Sequence, residues 1–271
     1  MAVRRVGLVS SALFRTRASV FDRMRVLARQ RPPVFVDSGI GPLGPIWVFW
    51  AQGLDRAPPL VQACVASIQA HAGGRQVHIV DQTSAHDYAA LDEVIIRKTA
   101  EMGWTKFANA LRLALLVQHG GTWFDATILQ TGPMPDEILQ HAFVLPQRPR
   151  AGRLVANWFI HARAGHPLLR AWLDALTAYW RLNLASRPYY QMHYLMEGLV
   201  GYSALAEDML LRADGMMDAE QALALFHAAM GGASASTLDD LARQSWLHKL
   251  NHRVGVNTGL MAWMRTRAAP L

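Results

Sequence analysis

The stretch that most constrains this chain runs from Lys106 to Ile128. A helix-like pattern over 105–119 closes on Gly120-Gly121, and Thr122-Trp123-Phe124-Asp125-Ala126-Thr127-Ile128 follows. Glycine at the helix end supplies the positive φ that stops a helix. The run after it is β-favouring and apolar except at Asp125, where a bare charge is costly unless it meets a cation or hydrogen-bond donors. On the helix, Asn109 and Arg112 are three apart and share a face. On a strand over 122–128, Asp125 and Thr127 are two apart and face the same way. These four side chains predict a polar pocket built on rigid elements.

Strand signals fall at 46–50, 76–81, 122–128, 142–146 and 154–161, and helix signals at 58–71, 105–119, 167–183, 188–199, 203–212 and 217–229. Strands alternating with helices predict an α/β fold, a mostly parallel sheet covered on both faces, with a helical C-terminal part. In open α/β sheets the ligand sits at the carboxyl ends of the strands, which suits Asp125. Pro32-Pro33 and the Gly- and Pro-rich run 39–45 form the clearest boundary. The chain thus divides into a basic extension and linker (1–43), a core (44–165) and a mainly helical part (166–271) that forms one compact unit with the core. Residues 231–236, Gly-Gly-Ala-Ser-Ala-Ser, read as a mobile lid or as a plain surface linker.

Composition narrows the class. With 271 residues, 52% hydrophobic and 17% charged, the chain can bury a full core, and no large disordered segment is expected. A single cysteine, Cys64, excludes an intrachain disulfide and a Cys-rich zinc site; in its apolar run it reads as a buried structural thiol. Residues 1–31 hold eight arginines against Asp22, so 8 − 1 = +7 is the whole net charge, and the remainder balances at 19 basic and 19 acidic residues. Drawn as a helix, that segment gathers Leu13, Phe14, Val20, Phe21, Met24, Leu27 and Ala28 on one side, interrupted by Arg17. It reads either as a solvated extension or as a segment resting on an anionic membrane surface. No run reaches the ~18 apolar residues of a spanning helix. Val6–Phe14 is too short and too polar for a signal peptide. The expectation is a cytoplasmic protein, peripheral to the inner membrane face if the basic segment binds lipid. A neutral body without a basic groove argues against a nucleic-acid partner.

Together these residues resemble the capsular polysaccharide synthesis proteins, relatives of the family 32 glycosyltransferases. The likeness lies in Asn109-x-x-Arg112, the apolar helix, Gly-Gly-x-Trp-x-Asp and Asp125-Ala126-Thr127. It extends to Ile46–Gly53, Pro58-Pro59, Val77–Asp81, Asn157–Ile160, Tyr190–Met196 and His248-Lys249-Leu250, in order over about 44–254. It implies a GT-A-like, Rossmann-type fold and transfer of a hexose from a nucleotide sugar, UDP-linked, to a polysaccharide or lipid-linked acceptor. It also implies retention of configuration and a divalent cation, Mn²⁺ or Mg²⁺, because the departing diphosphate's charge must be neutralised.

Under that resemblance Asp125 holds the ion, helped by Thr127 and His193, and Asn109 and Arg112 hold the sugar. Asn109 stands where the family usually has Asp, exchanging an acceptor-only group for a mixed one. Trp50 and Gln52, with Trp47, follow the first strand and face the nucleotide; Trp50 and Gln52 share a face if the strand continues. Asp81 holds the base or ribose, or caps a helix. Lys249 meets the diphosphate, and His248 and His252, four apart, read as a surface pair rather than a metal chelate. No nucleophile elbow, P-loop or G-x-G-x-x-G occurs. The alternative is a catalytically inactive nucleotide-sugar- or glycan-binding protein of the same fold, since Asn109 and a single acid at 125 thin the expected machinery.

Overall fold

The computed structural model describes residues 43–147, 153–182, 189–212, 216–253 and 258–267. The expectation for residues 1–31 lies outside them. Its strands are β1 (Ile46–Phe49), β2 (Val77–Val80), β3 (Gly121–Asp125), β4 (Ile128–Gln130), β5 (Phe143–Val144), β6 (Phe159–Ala162) and β7 (Leu247–Lys249). Its helices are α1 (Pro59–Ala70), α2 (Ala85–Tyr88), α3 (Glu93–Arg97), α4 (Thr99–Met102), α5 (Trp104–His119), α6 (Asp136–Gln140), α7 (Pro167–Arg181), α8 (Gln191–Tyr202), α9 (Ala204–Leu211), α10 (Ala219–Met230), α11 (Ala235–Gln244) and α12 (Thr258–Arg267).

The main sheet has the order β2-β1-β3-β6-β5. β1 runs parallel to β2 and β3, whereas β6 runs antiparallel to both β3 and β5. Four of the five strands therefore point one way and β6 alone is reversed, which is the mostly parallel α/β sheet that the alternation predicts. Register sets Phe49 opposite both Val80 and Asp125, so β1, β2 and β3 end along one rim.

Pleating sorts the side chains. Trp47, Phe49 and Trp123 pack on the side of α5 and α7, while Ile46, Val48, Phe124 and Phe159 pack on the side of α1. Asp125, two residues past Trp123, inherits the α5 face. Helix α5 is buried at every position from Phe107 to Val117, Asn109 and Arg112 included.

The double glycine does more than end α5. Gly120 has φ 65° and Gly121 φ 101°, and a Cβ on Gly121 would lie 2.0 Å from the Pro45 carbonyl oxygen. One on Gly120 would lie 2.6 Å from the Ala164 amide nitrogen. The chain turns into β3 in a space that only hydrogen fits.

Several expectations need correction. The predicted strand 122–128 is two strands: β3 stops at Asp125, Ala126-Thr127 forms a turn, and β4 leaves to pair with β7 in a second sheet, Ile128 opposite Lys249. Strand alternation therefore does not align Asp125 with Thr127. Likewise β1 ends at Phe49, and a turn closed by the Gly53 amide on the Trp50 carbonyl at 3.0 Å breaks the shared face expected of Trp50 and Gln52. Residues 231–236 are not loop throughout, since α11 takes Ala235 and Ser236. Gly231-Gly232 is a turn between α10 and α11, and the Ser234 hydroxyl caps α11 by accepting from the Thr237 amide. Among the described residues no helix is long and apolar enough to cross a membrane.

Candidate active site

Arg112 is the site's anchor, with 4% of its surface exposed on an apolar helix. Its Nε donates to the Ala108 carbonyl at 3.2 Å, and its Nη1 donates to the Asn157 carbonyl and lies 3.2 Å from Asp125 Oδ1. The guanidinium also stacks 4.8 Å from the Trp123 ring centroid. Burial pulls its pKa down and Asp125 opposes that. A buried charge with this many partners is held as a cation in one place.

Asp125 ends β3 with 28% of its side chain exposed, so one part of the carboxylate meets solvent or a ligand. Its Oδ1 accepts from Trp123 Nε1 at 3.0 Å as well as facing Arg112. Its Oδ2 lies 3.6 Å from Lys249 Nζ. The Lys249 ammonium also donates to the Thr127 hydroxyl. Lys249 reaches this point because β7 pairs with β4, and the Leu250 amide donates to the Thr127 carbonyl at 2.9 Å, locking the register. Burial lowers the Lys249 pKa, and the Asp125 carboxylate resists that shift.

Asn157, which the sequence reading left out of the site, joins its halves. Its carbonyl accepts from Arg112 and its side-chain amide donates to Asn109 Oδ1 at 3.2 Å. It sits in the loop just before β6, and no periodicity marks such a residue. Trp123 was likewise missed as an Asp125 partner, although its position two residues earlier on one strand face is a readable signal.

The other expected site residues divide. His193 is partly buried on α8, its Nδ1 atom buried and without a hydrogen-bond partner among the described residues. Burial first, then the Arg153 and Arg112 cations, lower its pKa to about 4, so the imidazole is neutral. Trp50 is half-buried at the rim, its ring edge-on to His252 at 5.1 Å, and His252 is near enough to Lys249 for that ammonium to depress its pKa after burial and Arg253. Gln52 is exposed in the turn. Asp81 follows β2 on the same rim, but its Oδ1 accepts from the amides and hydroxyls of Thr83 and Ser84, all within 3.0 Å. Those bonds hold its pKa at about 2, so this oxygen builds the turn into α2. Trp47 is core: 2% exposed, its Nε1 donates to the Gly120 carbonyl at 3.0 Å. His248 is no surface residue; on β7 it is 1% exposed and bonds the Thr131 hydroxyl at 3.2 Å, apart from the His252 pairing its spacing suggested. Cys64 is fully buried, its thiol pushed up to about 12.

The divalent ion that the resemblance implies needs about six oxygens, usually from one or two carboxylates and the substrate's phosphates. The oxygens here are those of Asp125 and Thr127, and each already faces Arg112, Trp123 or Lys249. Among the described residues no three His, Cys, Asp or Glu side chains gather as metal ligands. An ion ~4 Å from Arg112 and Lys249 would be repelled by about 4 kcal/mol per unit of charge from each, at an effective dielectric of about 20. As arranged, these residues do not fit a divalent cation.

A cation-rich polar cluster at the carboxyl rim of an α/β sheet is the class of site that receives anionic, hydrogen-bonding ligands. The chain belongs to the capsular polysaccharide synthesis protein family, whose model matches residues 29–261. It is similar to the O-glycosyltransferase braB of Annulohypoxylon truncatum, 26% identical over 160 residues that cover 50% of this chain. The chain spans 37% of the length of that curated relative. Among solved structures it is similar to the PaToxG glycosyltransferase at 13% identity and a TM-score of 0.43, covering 85% of this chain and 86% of that one. A transferase solved as a double cysteine-to-serine mutant matches at 13% identity and a TM-score of 0.36, covering 60% of this chain and 87% of that one.

Proposed function

We propose that this protein is a GT-A-type glycosyltransferase that moves a hexose from a nucleotide sugar, UDP-linked, to a hydroxyl of a polysaccharide or lipid-linked sugar. One observation carries the reading: Arg112, Asp125, Lys249 and Asn109 converge at the carboxyl rim of the sheet, from elements up to 140 positions apart. Carboxylate and amide groups suit sugar hydroxyls, and the cations suit a diphosphate. Family membership and the similarity to an O-glycosyltransferase support the same class.

In this reading Asn109 and Asp125 hold hydroxyls of the donor hexose, and Arg112 orients Asp125. The acceptor oxygen attacks the anomeric carbon from the side that the diphosphate leaves. The bond from carbon to the phosphate oxygen breaks, and that oxygen takes the acceptor's proton. Configuration is retained and no separate general base is needed. Trp50 on the rim offers an apolar ring face to the base or a sugar. The test is transfer from a panel of nucleotide sugars to an oligosaccharide acceptor, with the product anomer read by NMR. A retained glycoside supports the proposal. An inverted product removes the retaining step. Donor binding without transfer to any acceptor favours the inactive sugar-binding protein, which Asn109 and the lone acid Asp125 keep in view.

A further inference from the structure

The two cations around Asp125 have a consequence for how a diphosphate would be neutralised. Arg112 and Lys249 share one carboxylate, so the cluster carries +1 + 1 − 1 = +1. A divalent ion on a single carboxylate carries the same sum, +2 − 1 = +1. Adding an ion to the existing cluster would raise it to +3 beside a guanidinium that is only 4% exposed. We propose that the Arg112–Asp125–Lys249 cluster takes the place of the divalent metal, and that the nucleoside diphosphate of the donor binds to this chain without one. This rests on the nucleotide-sugar reading above.

Three observations converge on it. First, positive charge at the site exceeds negative charge by one, and an excess of one sign in a partly buried cluster favours a ligand of the opposite sign. A diphosphate supplies that charge. Second, Lys249 is placed by backbone, not by chance of rotamer: β7 pairs with β4 beside the turn that follows Asp125, and its side chain is 20% exposed, open enough for a phosphate to reach it. Third, the oxygens that an ion would need are already in use. A hard cation would compete for Asp125 and Thr127 oxygens that Lys249 already occupies.

Calorimetric titration of the full chain with UDP, GDP, CDP and ADP, in EDTA and again in excess Mn²⁺, tests this. The expected result is one nucleotide bound in EDTA within about threefold of its affinity in Mn²⁺, and no tight Mn²⁺ binding by electron paramagnetic resonance without nucleotide. Lys249→Met should weaken that nucleotide in EDTA by about ten- to a hundredfold, the loss of one charge-assisted contact. Mn²⁺ should then restore part of it, because Asp125 is freed for the ion. A purely structural lysine would give no such rescue. Binding by the wild type that vanishes in EDTA and returns with Mn²⁺ overturns the proposal and leaves the nucleotide-sugar reading intact. A Lys249→Met chain that melts normally and binds like the wild type in EDTA overturns it too. If the variant does not fold, the wild-type and resonance measurements decide alone. No binding of any nucleotide in either condition removes the donor reading, and this inference with it.

Discussion

Arg112 shows how much a single residue can carry. A guanidinium on a helix buried from Phe107 to Val117 has no structural reason to be there unless something holds it, and Asn157, Ala108 and Asp125 do. That anomaly was legible in sequence: one charge in an apolar run. Its partners were not. Lys249 lies 124 positions from Asp125 (249 − 125), and only the strand pairing reveals their contact. Asn157 sits in an irregular loop, where no period speaks. Two predictions belong at this scale. Arg112→Lys should lower kcat/KM by about a hundredfold, since an ammonium cannot keep the forked contacts to Asn157 and Asp125; steady-state kinetics on the folded variant checks it. Asn157→Ala keeps the carbonyl that Arg112 uses but releases Asn109. Donor affinity should fall by about three- to tenfold, the worth of one neutral hydrogen bond, with little change in melting temperature.

At the scale of elements, long periodic segments were readable and short ones were not. α1, α5 and α7 fall within two residues of their expected bounds because their apolar faces repeat over several turns. The strand expected over 122–128 was broken because Ala126 and Thr127 are compatible with extended chain, and only tertiary pairing pulls Ile128 into another sheet. α2, α3 and α4 are four or five residues each, too short for a period to show. β7 has three residues and lies within a helical half, so nothing local marked it. The Gly120-Gly121 junction sets the direction of β3 and hence of Asp125. Gly121→Ala should destabilise the fold by about 3 kcal/mol or more, because both its φ of 101° and the 2.0 Å approach to the Pro45 oxygen forbid a Cβ. Urea denaturation measures it. A loss under about 0.5 kcal/mol, the range of an ordinary surface change, would mean that the junction is looser than described.

For the whole molecule, alternation of strands and helices was enough to foresee the sheet, its near-uniform direction and the rim that carries Asp125. The C-terminal half was foreseen as helical, and the return of β7 to the core, which brings Lys249 to Asp125, was not. The fold also buries three histidines and partly buries His193, and desolvation is the main cause that lowers their pKa values to about 3 for His161 and about 4 for His166, His193 and His248. Unfolded, they protonate near 6.5. Between pH 6.5 and about 4 the unfolded chain therefore binds more protons, so stability is lost as pH falls. The slope is at most about 1.4 kcal/mol per pH unit for each histidine. Melting curves at pH 7.5, 6 and 5 should show a steady fall in Tm; a flat profile would mean that these imidazoles are not held neutral.

The measurement that bears most directly on the account is turnover of a nucleotide-sugar panel by the wild type and by Asp125→Asn. The substitution keeps the shape of Asp125 while leaving Arg112 and Lys249 without their carboxylate. The account predicts that one donor is consumed, with its sugar found on the acceptor, and that Asp125→Asn lowers that rate by about a hundredfold or more. Equal turnover by the two proteins, or a folded wild type that neither binds nor consumes any donor, would contradict it.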